Sequence, residues 1–239
     1  MNIFFMGTPE FAVPTLDLLN KNYNIMGIFT QPPRPSGRGM KEIKSSIQQY
    51  SEKNKLNFYT PNNLKNDETL KLLKSLNPDL IVVVAYGLLI PEVILKIPSY
   101  GCINGHASLL PKWRGAAPIQ RAIEAGDKKT GCTSMLMEKG LDTGPIIHKK
   151  EIIIKMEDDA IDLFKRLSLL TAECLDETIK KLIYGESRQT PQNNSEASYA
   201  NKLSKEEGLI NWNNNSLNIF NKMRAFKIFP GTYFHYKND

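Results

Sequence analysis

Cysteine and histidine are scarce in this 239-residue chain, three of each. Cys102, Cys132 and Cys174 are odd in number and widely separated, which suits neither a disulfide framework nor a CxxC metal site. Reduced thiols are expected, and Cys102 reads as a small buried strand residue more readily than as a nucleophile. His106, His148 and His235 form no HxH or HxxxH pair, so no metal site is expected. No apolar run approaches the ~20 residues that a membrane span requires. The opening Met1–Met6 is apolar, yet it lacks a basic leader and is cut short by Gly7, Pro9 and Glu10; it reads as a first strand and not as a signal peptide, which places the protein in the cytoplasm. A GxGxxG fingerprint is also missing. The turn after the first strand is Gly7-Thr8-Pro9-Glu10, without the glycine spacing that lets a pyrophosphate approach a helix N-terminus, and this demotes nicotinamide-dependent oxidoreduction.

What is present is an ordinary globular hydrophobic content of 41%, enough over this length for one sizeable core and a small appendage. Apolar runs at 3–6, 25–30 and 80–85 are short and rich in Ile, Val and Phe, and the stretches 11–20 and 42–54 are amphipathic. Strand alternating with helix predicts an α/β fold, a Rossmann-like, mostly parallel sheet with helices on both faces. A further strand ends at Ile103–Asn104, a helix covers 116–125, and two more strands cover 133–137 and 146–154. Over 158–184, Leu163, Leu167, Leu170, Cys174, Leu175, Ile179 and Leu182 recur at helical spacing, which predicts one closing helix with its stripe in the core. From 185 to 201 Gln, Asn, Ser and Pro replace hydrophobics, the composition of a linker. The expected domains are therefore a catalytic unit at 1–184, a linker at 185–201, and the beginning of a second unit at 202–239 that is too short to bury a core of its own.

The chemistry concentrates in Gly101–Pro118. Asn104 and His106 are two apart in an extended segment and so share a face, bringing an amide donor and an imidazole toward one point. Downstream, Asp142 lies in the glycine-rich 138–145 loop, which is flexible enough to return a carboxylate to that point. Each residue has a blander reading: Asn104 could satisfy backbone at a strand end, and Asp142 could cap the turn. The net charge of +6 permits a polyanionic partner without establishing one. Its placement is more telling, because Arg34, Arg38, Lys41 and Lys44 cluster in one Pro/Gly-rich loop, while Lys112 and Arg114 flank the proposed site. A solvated basic loop is the alternative. Ala85, Tyr86 and Gly87 follow the 80–84 strand, at the strand end where open α/β sheets bind ligands.

His106–Pro111 (HASLLP), Trp113–Ala122 (WRGAAPIQRA) and Leu141–Gly144 (LDTG) resemble the signature of the folate-dependent formyltransferases. Met6–Phe11 (MGTPEF), Gln31–Gly39 (QPPRPSGRG), Ala85–Gly87 (AYG) and Lys202–Glu207 (KLSKEE) are similar to the tRNA-directed branch of that family, and the match runs the length of the chain. The resemblance implies transfer of a formyl group from 10-formyltetrahydrofolate to the α-amino group of methionyl-initiator-tRNA, for translation initiation; a monomer is expected. Asn104 would hold the developing oxyanion. His106 would share in that and in proton transfer. Asp142 would orient His106 and take the amine proton.

The resemblance also implies a folate site at Ser108, Leu109, Leu110 and Pro111, completed by Ala85, Tyr86 and Gly87. The bland alternatives are a hydrophobic turn tucked into the core and a capping Tyr86. It assigns the tRNA to Arg34, Arg38 and Lys41, with Arg114 as a second contact, and it implies a small β-barrel after the linker, of which this chain would carry only the start. The competing functions are formylation of a sugar-nucleotide or other small amine, and a nonenzymatic tRNA-binding relic. Two positions depart from the family pattern. Gly105 replaces a larger aliphatic residue, which should loosen the strand bearing Asn104 and His106, and Ser134 replaces an apolar one.

Overall fold

The structure, a computed structural model, describes residues 1–36 and 41–236. In chain order its strands are β1 (Asn2–Gly7), β2 (Asn24–Phe29), β3 (Arg34–Ser36), β4 (Lys41–Ile43), β5 (Phe58–Tyr59), β6 (Leu80–Val84), β7 (Cys102–His106), β8 (Arg114–Gly115), β9 (Lys129–Leu136), β10 (Ile146–Ile153) and β11 (Tyr199–Ala200). The helices are α1 (Val13–Asn22), α2 (Ser46–Lys53), α3 (Asp67–Leu76), α4 (Glu92–Leu95), α5 (Pro118–Glu124), α6 (Ala160–Ile183) and α7 (Ser216–Ala225).

Seven strands form one sheet in the order β10-β9-β7-β6-β1-β2-β5. It is parallel from β5 to β7, then turns antiparallel at β9 and β10, which makes the fold the mostly parallel α/β sheet that the apolar runs predict. The two faces of β1 explain why its sequence is an unbroken apolar run. Ile3 and Phe5 enter one core with α1, α2, α5 and α6, while Phe4 and Met6 enter the other with α3 and α4. Among the described residues no helix is long and apolar enough to cross a membrane.

Helix ends follow local chemistry. The 24-residue α6 starts at a capping box, with the Asp159 carboxylate accepting from the N–H groups of Ile161 and Asp162 and Asp162 returning a bond to the Asp159 N–H. Asp176, midway along α6, accepts from Asn22 Nδ2 at 3.1 Å and Tyr23 Oη at 2.9 Å, tying the α1–β2 turn to α6.

Three expectations change. Gly105 does not loosen β7; it lets α6 close on the strand. A Cβ there would meet Thr171 Cγ2 at 2.7 Å and Leu175 Cδ1 at 2.8 Å, so the helix already fills the space of the missing side chain. Residues 185–201 are not a free tether either. Thr190 and Ile146 exchange two backbone hydrogen bonds of 2.8 Å, and β11 pairs in parallel with β8. Finally, the described part of 202–239 shares the first unit's core. Ala225 and Phe226 are fully buried against it, and Arg224 donates to the carbonyls of Lys155 and Asp158.

Two outcomes follow from this packing. Gly105→Val overpacks the β7–α6 contact and lowers unfolding stability by about 1–3 kcal/mol in a denaturant titration. Combined with Leu175→Ala, it should destabilise by less than the sum of the two single changes, because the second makes room for the first. At Asp176, burial raises the carboxyl pKa, but hydrogen bonds from Lys180, Asn22 and Tyr23 outweigh it and hold the group below its ordinary 3.8. A depressed folded-state pKa adds stability that is present at neutral pH and fades as pH falls through the carboxylate range. Asp176→Asn should therefore lower Tm at pH 7 and lose part of the acid-induced fall in Tm that the parent shows below about pH 4.

Candidate active site

The site is built at the carboxyl ends of the parallel strands. Within the sheet Asn104 stands opposite Val83 on β6 and Met135 on β9, and His106 opposite Thr133. Because both lie on one side of β7, they reach the same cavity, which has a volume of about 730 Å³ and also takes in Asp142, Ala85, Tyr86 and Gly87. Its walls are largely apolar, from Phe11, Val83, Ile119, Met135, Met137 and Phe164, with Gln120 and Glu138 adding polar groups. A mostly apolar cleft of this size with a few convergent polar groups is the usual form of a small-molecule site.

His106 is 6% exposed. Its Nε2 lies 2.8 Å from the carbonyl oxygen of Trp113. A carbonyl can only accept, so Nε2 carries a proton, and in the neutral ring Nδ1 is the free base. That nitrogen faces Asp142 Oδ2 at 3.6 Å, too far for a direct hydrogen bond. The direct hydrogen bond on the imidazole is thus to the Trp113 carbonyl, with the Asp142 carboxylate facing the other ring nitrogen. Trp113 sits at φ 63° with its indole N–H donating to Asp127 Oδ2 at 2.7 Å, so the carbonyl is held from both ends of the residue.

Asp142 has a left-handed backbone, φ 51°, and its Oδ2 accepts from the Gly115 N–H at 2.8 Å. The following Gly144 permits the loop to lie against β9, since a Cβ there would meet the Leu136 carbonyl oxygen at 1.8 Å. On the opposite wall Ala85 and Gly87 also have positive φ, and the Tyr86 carbonyl between them accepts from Thr8 Oγ1 and Gln31 Nε2, both at 2.8 Å. The Tyr86 ring itself is 2% exposed and packs with Phe4 and Met6; burial pushes its phenol well above the ordinary range.

Two groups of expected site residues are placed elsewhere. Ser108, Leu109, Leu110 and Pro111 do not line the cavity. Ser108 and Leu110 are fully buried, with Ser108 Oγ donating to the Lys112 carbonyl, and Thr133 Oγ1 donating to the Ser108 carbonyl while accepting from the Leu110 N–H. This turn braces β7 against β9. Arg114 is 2% exposed, and its guanidinium donates to the side-chain oxygens of Gln192 and Asn194, which leaves it no face for RNA. Arg34 is exposed on the β3–β4 hairpin. Arg38 lies outside the described residues, as does the Lys41 side chain. Among the described residues no group of three or more His, Cys, Asp or Glu is placed to hold a metal.

Sequence reasoning missed the apolar walls. Their one signal is Phe11, in the MGTPEF stretch; Met135 and Met137 stand in the predicted 133–137 strand and Phe164 in the closing helix, with nothing to mark them as lining a cavity.

Sequence models of known families carry the same assignment. One described as formyl transferase matches residues 1–179, and one described as formyl transferase, C-terminal domain, matches 202–239. A methionyl-tRNA formyltransferase from Caldanaerobacter subterraneus subsp. tengcongensis is 48% identical over 238 residues, covering 99% of this chain and 77% of the relative. Another of that name, from Marinobacter nauticus, is 46% identical over 234 residues, covering 98% and 75%. Among solved structures, the N-formyltransferase from Helicobacter canadensis in complex with folinic acid and dTDP-3-aminofucose superposes with a TM-score of 0.69 over 99% of this chain and 84% of its own, at 21% identity, a likeness of fold. With Asn104, His106 and Asp142 gathered in one cavity and this extent of identity along nearly its whole length, the chain belongs to the formyl transferase family.

Proposed function

We propose that this chain transfers the formyl group of 10-formyltetrahydrofolate to the α-amino group of methionyl-initiator-tRNA, in the cytoplasm, at the start of translation. The observation that carries the reading is the convergence of Asn104, His106 and Asp142 on one apolar cavity, in a chain nearly half identical to proteins named for that reaction. The cavity suits a flat heterocycle with a hydrogen-bonding edge: Ala85–Gly87 offer backbone groups at that edge, and Met135, Met137 and Phe164 offer apolar surface to its faces.

The residues divide the work by their chemistry. Asn104 donates an amide N–H to the formyl oxygen as negative charge develops there. His106, held by Trp113, presents Nδ1 toward the reacting atoms; protonated, it adds positive charge beside the oxyanion and returns a proton to the departing nitrogen of the folate. Asp142 takes the proton that the amine must lose as the new C–N bond forms, directly or through a water spanning the 3.6 Å gap. Net, one N–H proton leaves the amine and one is delivered to the leaving nitrogen, so no external acid or base is consumed. The basic segment with Arg34, Arg38 and Lys41 contacts the phosphate backbone of the tRNA, a charge-driven and therefore salt-sensitive contact.

Resolution of Met-tRNA from formyl-Met-tRNA on acid gels tests this reading. Wild type should convert the first to the second with 10-formyltetrahydrofolate. Asn104→Ala should lower kcat by about 10²–10³, and Asp142→Asn by roughly 10²–10⁴. Arg34→Ala with Arg38→Ala should raise KM for the tRNA while kcat holds, with a shallower dependence on salt. Formylation of an amino sugar nucleotide but not of Met-tRNA would overturn the substrate, and tight tRNA binding without turnover would overturn the enzyme.

A further inference from the structure

We infer that Gln192, in the polar segment that follows α6, is a positioning residue for Asp142, holding the carboxylate loop in register with His106. Its amide uses all of its hydrogen-bonding capacity. Nε2 donates to the carbonyl oxygens of Asp142 and Gly144, both at 2.8 Å, while Oε1 accepts from Arg114 Nε at 3.1 Å and Arg114 Nη2 at 2.8 Å. The orientation of the amide is unambiguous, because a guanidinium only donates and a carbonyl only accepts. Gln192 thus relays the fixed position of a buried cation, Arg114, to the backbone on either side of Thr143.

That backbone needs holding. Asp142 is in the left-handed region, which a residue other than glycine keeps only where its surroundings impose it. The second hold on Asp142 is the Gly115 N–H, and it depends on the same segment. Gly115 is paired with Ala200 through β8 and β11, and a Cβ at Gly115 would come within 2.8 Å of the Ala200 carbonyl oxygen. The Trp113 N–H donates to Ser198 Oγ at 3.0 Å, while the Trp113 carbonyl accepts from His106. Residues 192–200 therefore hold both halves of the His106–Asp142 pair. A pair 3.6 Å apart is sensitive to a displacement of an ångström.

The proposal rests on the formyl-transfer reading, and its test separates the two. Gln192→Glu keeps an acceptor for Arg114 and removes both donors to the loop; Gln192→Ala removes the whole bridge. Both are made in the full chain, alone and combined with Asp142→Asn, and kcat, both KM values and Tm are measured, using single-turnover rates for the slow variants. For Gln192→Glu we expect kcat to fall about 10- to 100-fold, both KM values to stay within about twofold and Tm to hold. On the Asp142→Asn background the same change should cost little, since the group it positions is gone. An equal fold-loss on both backgrounds, a change confined to KM, or a fall in Tm with kcat intact would overturn the proposal. Should Gln192→Ala fail to fold, Gln192→Glu decides alone. Should the wild type not formylate Met-tRNA, the functional reading fails, and amide exchange still judges Gln192. Protection lost by Gln192→Glu only at 113–116 and 141–144 supports the role, and unchanged protection there rejects it.

Discussion

The chemistry of the site depends on a single hydrogen bond, from His106 Nε2 to the Trp113 carbonyl. Imidazole becomes a defined reagent only when one nitrogen is committed, and here the commitment is to a group that cannot donate. Everything that fixes the Trp113 peptide therefore also fixes which nitrogen of His106 is basic. Trp113 is held by its indole on Asp127, by its N–H on Ser198, and by the next residue, Arg114, which is locked among the amides of Gln192 and Asn194. The 113–115 turn thus sets the proton inventory at the centre of the site.

The sheet supplies the second constraint. β7 is the last parallel strand and pairs with β6 on one side and antiparallel β9 on the other, so the β9–β10 turn sits by the amino end of β7 and the Asp142 loop folds back along the strand to reach His106. Parallel pairing of β1, β6 and β7 puts Gly7, Ala85 and His106 at the same end of the sheet. Side-chain alternation on β7 then turns Asn104 and His106 toward the cavity and Gly105 toward α6. Catalytic and packing roles occupy successive residues of one strand without competing.

Much of this was legible in the sequence. Buried parallel strands announce themselves as short apolar runs because both faces are covered, and β1, β2 and β6 were placed within a residue or two of their observed ends. The 24-residue α6 was equally plain from its stripe. The strand at 58–59 was not, because a two-residue edge strand has no periodicity to detect; α3 was legible and went unread, since Leu70, Leu73 and Leu76 recur at helical spacing and pack on the second core. The β3–β4 hairpin was read simply as a basic loop. At the site, spacing was enough to pair Asn104 with His106, since strand alternation is strict. The burial of Ser108, Leu110 and Arg114 was not legible, because composition does not report it: a leucine-rich turn serves a ligand or a core equally well, and an arginine advertises a charged surface until neutral amides are found to enclose it.

Gln192 shows the limit from the other direction. Its segment reads as a linker because it lacks apolar residues, and hydrophobic pattern is the only long-range signal a single sequence carries. A chain can also be tied down by polar groups alone, when it crosses loops whose own carbonyls and N–H groups are unpaired. The loops around Asp142 and Gly115 are of that kind, being shaped by positive-φ residues and excluded from the main sheet. Backbone of this sort must find partners, as buried polar groups do everywhere. The Asn- and Gln-rich composition that suggests disorder is then what the loops require, because a carboxamide is the one side chain that donates to two carbonyls while accepting from a guanidinium.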